Sequence, residues 1–390
     1  MVEIKEFKPI VYNKEKLKKL NIEFKDIICP PYDVISQQQY KSLIRKKYNF
    51  VNLELPKGKE NKKYQNAKKF LSSLKRNKIL IKQSTPAIYI YQHTFSYPEG
   101  SNKYYTRTGI FCLIKSDPEY KTILPHEQTK PKPLEDRLNL ISNLNLQTSP
   151  PFFLIEDKDK KFYNKLLELA NKKNLVLSFK DDKSEEHKIY RVIVGMEELK
   201  WIKKFVEKEV LFIADGHHRY KVTSEYLKKI NKNYLMGYIC SFSDDGLLIL
   251  PTHRAVLGRY VLEEVKKYFN ITFWDGKKQP QILFYHNGEF KVLNLKTKLK
   301  NLDKTLKDLP YVILDETVFK NFSKEQIFYH QEMKEVINFA DKYNGFAFIL
   351  PAVTKDEFMR VVKTNLVFPP KTTYFYPKVI SGLFCYDLEE

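Results

Sequence analysis

The sequence predicts an α/β protein with a mixed sheet and a second, smaller subdomain. Short apolar runs typical of buried strands alternate with lysine-rich amphipathic segments typical of helices. Residues 87–95 and 104–115 are two such runs around a turn, which predicts an antiparallel hairpin, whereas the run at 210–215 leads into a helix. With 390 residues, 43% of them hydrophobic, the chain can bury a substantial core.

Three regions are expected along the chain. Residues 1–258 form the α/β catalytic core, and residues 259–345 form an accessory subdomain with charged helical patterns and two short strands. Residues 346–390 begin with a buried strand and continue into a proline-rich tail. Because this tail is too apolar to remain free in water, we expect it to pack back on the core.

The sequence also bears on where the protein is located. No apolar run approaches the ~20 residues that a membrane helix needs. The first seven residues lack the basic-then-apolar form of a signal peptide, so we expect a cytoplasmic protein with no membrane partner.

The four cysteines are far apart and form no C-x-x-C pair, which favours core residues over a disulfide framework or a zinc site.

The formal net charge of +21 comes mostly from lysines that are spread along the chain. A solvated lysine-rich surface is favoured over a nucleic-acid-binding face, which remains the alternative. A positive field would also attract phosphorylated small molecules.

The segment 29–36 contains two consecutive prolines, which deny a helix and fix an extended approach. Asp33 or Ser36 could cap the helix predicted at 37–47. The segment is either a rigid connector or one wall of a pocket, and the residues leave both possibilities open. An amphipathic helix is predicted next, at 60–82.

Residues 122–137 combine several reactive groups. Three prolines surround His126, Glu127 and Thr129 and predict a rigid, non-helical loop, after which a helix begins near Arg137. A glutamate on a rigid loop suits a general base, because positioning contributes as much as pKa does. An ordinary surface loop is the alternative.

The stretch 210–220 carries the strongest functional signal. A buried strand ends in the turn Asp215-Gly216, then come His217, His218 and Arg219, and a helix-like pattern follows at 220–227. The polar cluster therefore lies at a strand-to-helix turn. The first backbone N–H groups of a helix and its dipole favour anions, and phosphates above all. We therefore predict an anion-binding functional site here.

Later residues supply further candidates. Runs at 234–242 and 247–250 predict a hairpin that delivers His253 and Arg254, which either bind an anion or form an exposed pair. The tail could bring Lys371 and Lys378 to the site. His93 is expected to be a strand residue. His187 is expected to be exposed in a polar run.

The run Ala-Asp-Gly-His-His-Arg at 214–219 resembles the signature of the ParB/sulfiredoxin superfamily, and most closely that of its free serine kinases. The whole chain is also similar to a bacterial and archaeal family filed as a domain of unknown function. The shared motifs are Pro-Pro-Tyr-Asp-Val-Ile at 30–35, His-Glu-x-Thr at 126–129 with Arg137 downstream, and Lys-x-Thr-Tyr-Phe-Tyr-Pro-Lys at 371–378.

The resemblance implies a ParB/sulfiredoxin-like catalytic core. It implies that Glu127 takes the proton from the acceptor hydroxyl, and that Asp215 holds Mg²⁺ or orients the nucleophile. The residues expected to bind phosphate or the donor are Gly216, His217, His218, Arg219, His253, Arg254, Lys371 and Lys378. The residues expected to contact the acceptor are His126, Thr129, Arg137, Tyr32 and Asp33.

These observations together predict a small-molecule kinase that phosphorylates free L-serine with Mg²⁺ and ADP, ATP or pyrophosphate. The histidine before Glu127 departs from the usual kinase pattern, and no Gly-x-x-x-x-Gly-Lys-Ser/Thr loop is present, so a nucleotide would not be held in the P-loop manner. A ParB-like nucleotide-dependent DNA-binding protein and a phosphoester hydrolase are the alternatives. The sequence leaves the oligomeric state open.

Overall fold

The computed structural model describes residues 1–127, 131–193, 197–258, 260–297, 299 and 302–390, without the side chains of residues 131–133. The chain divides into two compact units. Unit 1 comprises Met1–Pro125, Thr129–Leu247 and Pro377–Glu390, and unit 2 comprises His126–Gln128 and Leu248–Tyr376. Each unit has its own sheet, so the prediction of an α/β fold with a second, smaller subdomain is confirmed.

The strands are numbered in chain order. They are β1 Ile4–Lys5, β2 Ile10–Tyr12, β3 Leu80–Lys82, β4 Ala87–Ser96, β5 Tyr104–Lys115, β6 Ile123–Leu124, β7 Leu146–Gln147, β8 Phe152–Ile155, β9 Leu175–Lys180, β10 Glu186–Ile193, β11 Leu211–Asp215, β12 Tyr234–Ser241, β13 Leu248–Leu250, β14 His253–Val256, β15 Phe269–Phe273, β16 Leu283–His286, β17 Glu289–Leu295, β18 Ile327–His330, β19 Phe346–Ile349, β20 Tyr374–Tyr376 and β21 Tyr386–Asp387.

The α-helices follow the same order. They are α1 Lys14–Lys19, α2 Phe24–Ile27, α3 Gln37–Leu43, α4 Val51–Glu54, α5 Glu60–Arg76, α6 Pro131–Leu144, α7 Lys161–Leu169, α8 Glu197–Glu207, α9 His217–Lys229, α10 Tyr260–Tyr268, α11 Pro310–Glu316, α12 Met333–Tyr343 and α13 Lys355–Val362.

The main sheet of unit 1 runs in the order β6-β11-β8-β12-β5-β4-β10-β9, and β1 also pairs with β5. It is a mixed sheet, because β11 pairs with β6 and β12 with β8 in parallel while the other pairs are antiparallel. Leu211, Phe212 and Ile213 of β11 are all buried, which explains why this strand is a continuous apolar run. The register against β8 shifts between Ile213 and Asp215, and Asp215, the last residue of β11, pairs with Phe152.

The main sheet of unit 2 is antiparallel throughout, in the order β15-β17-β16-β19-β14-β18. Since β14 lies between β18 and β19, residues 248–258 and 346–376 belong to this unit. The division therefore differs from the boundaries expected at 258 and 345. The last 14 residues do return to unit 1, where β21 pairs with β7.

The hairpin predicted from 234–242 and 247–250 is wrong. Both sides of β12 are already paired, with β5 and β8, and β13 pairs instead with β20 in unit 2. The carboxylate of Asp244, in the turn after β12, accepts the backbone N–H of Thr108 on β5, which directs the turn towards its own sheet.

Two helix boundaries also differ from the prediction. The helix expected at 60–82 ends at Arg76, because Lys78 adopts a left-handed conformation (φ +54°) before β3 begins. Helix α6 begins at Pro131 rather than near Arg137, since proline is tolerated in the first helical turn. Ser36, rather than Asp33, caps α3 and forms a capping box with Gln39.

The cysteines are buried as core residues, as expected. In the part of the chain that the structure describes, no helix is both long and apolar enough to span a membrane.

Candidate functional site

Helix α9 begins immediately after β11, and a single glycine makes the turn. Gly216 is its N-cap and adopts φ +82° and ψ +35°, a left-handed conformation that glycine accepts without steric cost. A Cβ atom at this position would lie 2.9 Å from Cζ and Nε of Arg219. Two constraints therefore require glycine at position 216: the left-handed backbone and the close approach of Arg219. The turn places the positive end of the α9 dipole beside Asp215.

Asp215 holds two cations, one on each carboxylate oxygen. Its Oδ2 accepts from Nη2 of Arg219 at 2.5 Å, one helical turn further along, and its Oδ1 pairs with Nζ of Lys378. Burial by itself would raise the pKa of Asp215, but Lys378 and Arg219 hold it well below its ordinary value. We refer to Asp215, Arg219 and Lys378 as the Asp215 triad. Because it contains two cations and one carboxylate, the triad carries a net positive charge.

The guanidinium of Arg219 is fixed from a second direction. Its Nη1 donates to the carbonyl oxygen of Pro150 at 2.5 Å, and the residue is 6% exposed. His217 is also buried, and its field contributes to the low pKa of Asp215. Gly216, His217 and Arg219 thus lie together at the N-terminus of α9, and Lys378 reaches them from the C-terminal segment. His218, the next residue of the first turn, is half-buried.

A second charged group of unit 1 surrounds Arg137, on α6. Its guanidinium lies 4.2 Å from the ring centroid of Tyr32, and its Nη1 donates to the carbonyl oxygen of Glu54 at 2.7 Å. Its Nε donates to Asp136 at 3.0 Å. Burial by itself would raise the pKa of Asp136, but Arg137 and Lys63 lower it to about 2. These contacts fix the guanidinium of Arg137, and the ring of Tyr32 packs against the face of that guanidinium.

A cavity of about 30 Å³ is lined by residues of both groups, among them Arg137 and Arg219. Glu54 also lines it: its Oε1 accepts from Ser149 Oγ at 2.9 Å, and its Oε2 has no hydrogen-bond partner among the described residues. A cavity of this size accommodates one water molecule. Asp33 acts on the same arginine, because its charge helps to raise the pKa of Arg219 against the effect of burial.

Sequence reasoning missed Glu54. The residue ends the short helix α4, where a glutamate is expected to face solvent, yet it is 1% exposed. Nothing in its sequence neighbourhood signals burial.

Glu127 belongs to unit 2 and is half-buried. Its neighbour His126 anchors it: Nε2 of His126 lies 2.8 Å from Oγ1 of Thr373, and its ring meets Phe358 edge-on at 5.1 Å. The backbone N–H of Lys371 approaches Oε2 of Glu127 at 3.4 Å. These contacts favour an anchoring role for His126 over the acceptor-binding role that the sequence suggests. Thr129 lies outside the described residues.

His253 and Arg254 lie within strand β14, not after a strand end, and both are buried in unit 2. Arg254 Nη1 donates to Asp315 at 2.6 Å, and His253 Nδ1 accepts from the backbone N–H of Leu350 at 3.1 Å. Burial, with a contribution from His330, lowers the pKa of His253 to about 4. These contacts support the unit 2 sheet rather than the donor-binding role suggested by the sequence.

Asp215 does not fit the role of a Mg²⁺ ligand. Both of its oxygens already pair with cations, and a divalent ion placed on the carboxylate would meet the charges of Lys378 and Arg219. Mg²⁺ commonly binds through one or two carboxylates together with substrate phosphates. The contacts of Asp215 instead suit a residue that positions two cations.

Replacement of Gly216 by alanine is expected to disturb the site beyond its effect on the backbone. A left-handed alanine costs about 1–2 kcal/mol, and here the new Cβ would also displace the Arg219 guanidinium. Gly100→Ala is the matched control, since Gly100 has φ +79° and nothing within 4 Å of its Cβ position. Urea unfolding should therefore show a larger loss of stability for Gly216→Ala than for Gly100→Ala, because only Gly216→Ala also disturbs the pairing of Arg219 with Asp215. Equal destabilisation of the two variants would contradict this role of Gly216.

Three solved structures are similar to parts of this chain: a free serine kinase variant in complex with ADP, a conserved hypothetical protein from Pyrococcus furiosus, and C-terminally truncated SbnI from Staphylococcus aureus. Their identities are 17%, 18% and 12%, and their TM-scores are 0.39, 0.37 and 0.41. The similar regions cover 68%, 70% and 69% of this chain and 87%, 94% and 84% of those chains.

No function is carried over from these structures at such identities and TM-scores. No curated protein is significantly similar to the chain. A family model described as "Protein of unknown function (DUF1015)" matches residues 4–312, which is well over half of the sequence. The chain therefore belongs to the DUF1015 family.

Proposed function

We propose that this protein is a phosphotransferase that moves a phosphoryl group onto the hydroxyl of a small molecule. The observation that carries the proposal is the Asp215 triad at the N-terminus of α9, where one carboxylate positions two cations beside the positive end of a helix. Phosphoryl transfer needs little covalent chemistry from the protein. It depends on positioning and on neutralising the charge of the phosphates.

The triad would act on the donor. Arg219 and Lys378, with the first-turn N–H groups of α9, would bind phosphate oxygens and stabilise the charge that develops on the leaving phosphate. Asp215 would keep both cations in place. This role suits its contacts better than metal binding does, so Mg²⁺ would reach the protein as the counter-ion of the donor phosphates.

Glu127 is the proposed general base. The acceptor oxygen forms a bond to the transferred phosphorus, and the bond from phosphorus to the leaving phosphate oxygen breaks with its electron pair. The hydroxyl proton passes to the carboxylate of Glu127. The contacts around His126 support this role, since an anchored neighbour limits the positions that the carboxylate can occupy.

Free L-serine is the proposed acceptor, on the strength of the Ala-Asp-Gly-His-His-Arg run that resembles the free serine kinases. Tyr32 and Asp33 are the proposed acceptor contacts in unit 1. Asp33 offers a carboxylate that an amino group could pair with, while Arg137 holds the ring of Tyr32 in place.

The proposal is tested by incubating the protein with L-serine and Mg²⁺, with ADP, ATP or pyrophosphate in separate reactions, and following phosphorus by NMR. We expect the phosphoserine resonance to grow with one of the donors, and removal of Mg²⁺ by chelation to abolish it. Folded protein that forms no phosphoserine with any donor would contradict the proposal. Hydrolysis of added phosphoserine to inorganic phosphate, without transfer, would identify a phosphoester hydrolase instead.

A further inference from the structure

Unit 1 contains a second cluster of polar side chains that the proposed function does not use. It lies at the β9 edge of the main sheet, where His93 of β4 is the cross-strand partner of His187 of β10. Glu185 precedes β10, and Asp181 follows β9 in the connecting turn. The sequence predicts an exposed His187, but the structure buries it completely. His93 and His187 thus meet side by side in the sheet, with Glu185 and Asp181 in the adjoining turn.

The cluster is buried and closely spaced. His93 is 1% exposed, and its Nε2 lies 2.6 Å from Oε2 of Glu185. Nε2 of His187 lies 3.5 Å from Oδ2 of Asp181, and the two imidazole rings stack with their centroids 4.3 Å apart. One ligand atom from each of His93, Glu185 and His187 lies within 4.8 Å of the other two.

One imidazole nitrogen remains unsatisfied, since Nδ1 of His93 is buried and has no hydrogen-bond partner within the described chain. Nε2 of His187 is also buried, and it makes only the long 3.5 Å contact with Oδ2 of Asp181. The other nitrogen of His187, Nδ1, lies 2.8 Å from the hydroxyl of Tyr91, which orients the ring and leaves Nε2 directed towards Asp181.

We propose that His93, Glu185 and His187, with Asp181 as a fourth ligand, bind a divalent transition-metal ion of the zinc class. Two imidazoles and two carboxylates are a ligand set that such ions accept in tetrahedral geometry. The site would be closed and structural, since the protein supplies all four ligands. It is independent of the proposed phosphotransferase activity.

The distances between the ligand atoms would fit a zinc ion after small movements of the side chains. Ligand atoms with bonds of about 2.0–2.1 Å in a tetrahedron lie roughly 3.3 Å from one another. The 3.5 Å separation of His187 and Asp181 is close to this value, while the 2.6 Å contact of His93 and Glu185 would lengthen. The widest pair among the three residues would close by up to about 1.5 Å, a movement of side chains at a hairpin edge.

The charges also favour a divalent cation. Two carboxylates would balance its charge, and the turn keeps Asp181 available: Oδ1 of Asp181 accepts the backbone N–H groups of Lys183 and Glu185, while Oδ2 faces His187. Arg107 is the buried cation whose field opposes the ion.

A bound ion would fasten the edge of the sheet. Its ligands come from β4, from β10 and from the turn between β9 and β10, so it would cross-link the two outermost strands to the interior of the sheet. We therefore expect zinc to protect β9 and β10 from hydrogen exchange more than it protects the rest of unit 1.

The test uses the full-length protein, stripped with a chelator, dialysed against Zn²⁺ and analysed by mass spectrometry for bound metal. We expect about one zinc ion per chain in the wild type. His93→Gln and Glu185→Gln should bind zinc more weakly by at least the roughly 10–100-fold that loss of a supporting ligand contact costs. Glu186→Gln is the matched control, because Glu186 is the adjacent carboxylate and pairs with Lys188 instead.

Circular dichroism and thermal unfolding without metal establish that each variant is folded. In the wild type and in Glu186→Gln, Zn²⁺ should raise the melting temperature, and Co²⁺ should give the visible absorption of a tetrahedral site. Equal zinc retention by the wild type and by folded Glu185→Gln would overturn the proposal. Failure of the wild type to retain zinc would overturn it as well.

Discussion

Asp215→Asn is expected to lower phosphoryl transfer by about 10²-fold or more, and to destabilise unit 1. The substitution removes the charge that holds Lys378 and Arg219, so two like charges remain close together in a buried site. Loss of one partner from a buried ion pair costs about 3–5 kcal/mol. The two cations would then move apart and no longer present the geometry that phosphate binding requires.

The stability loss should depend on pH in a defined direction. The folded state lowers the pKa of Asp215, so its carboxylate contributes stability fully above its unfolded pKa of about 3.9. That contribution disappears as the pH falls below this value towards the lower folded pKa. Urea unfolding of the wild type and Asp215→Asn should therefore differ most at neutral pH and converge in acid. A difference that grows as the pH falls would contradict the ion-pair account.

Glu127→Gln is expected to lower turnover by about 10²-fold or more, while the affinity for the phosphoryl donor stays unchanged. The amide retains the size of the carboxylate and can still contact its neighbours, but it cannot accept the hydroxyl proton. The expected signature is a fall in kcat with little change in donor binding measured by calorimetry.

Glu135→Gln provides the control for Glu127→Gln, because Glu135 is an exposed glutamate of α6. It should transfer phosphate at the wild-type rate. If Glu127→Gln also turns over at that rate, Glu127 is not the general base, and the proton must leave by another route.

Local pattern was sufficient to predict the strand, turn and helix around Gly216. A continuous apolar run predicts a strand buried on both faces, and Asp-Gly before a helical pattern predicts the turn. The hairpin of β4 and β5 is likewise a local feature, and the structure confirms it. The sequence therefore predicts much of the fold class and the position of the turn at Gly216.

Contacts between distant residues could not be read from local pattern. Lys378 and Asp215 are 163 positions apart, and their pairing depends on how the last 14 residues return to unit 1. Glu54 ends the short helix α4, and nothing in the local sequence predicts the burial of a glutamate there. Its place beside the cavity depends on Ser149 and Arg137, which come from other parts of the chain.

The histidines show a related difficulty. His187 lies in the polar run 181–188, so composition predicts exposure. Its side chain is buried because it lies in β10 opposite His93 and stacks on Phe179, with the ring centroids 4.8 Å apart. The prediction for His253 and Arg254 was wrong for the reverse reason, because β14 contains both residues and buries side chains that a strand end would have exposed.

Donor binding by the Asp215 triad is the central claim, and calorimetry with pyrophosphate, ADP and ATP tests it most directly. The wild type should bind at least one of these donors. Lys378→Gln should bind it at least about tenfold more weakly, in line with a charge-assisted contact worth roughly 1.5–3 kcal/mol. Lys62→Gln, which removes the same charge from an exposed position on α5, should bind it as the wild type does. Equal affinities for all three proteins, or no binding by the wild type, would contradict the account.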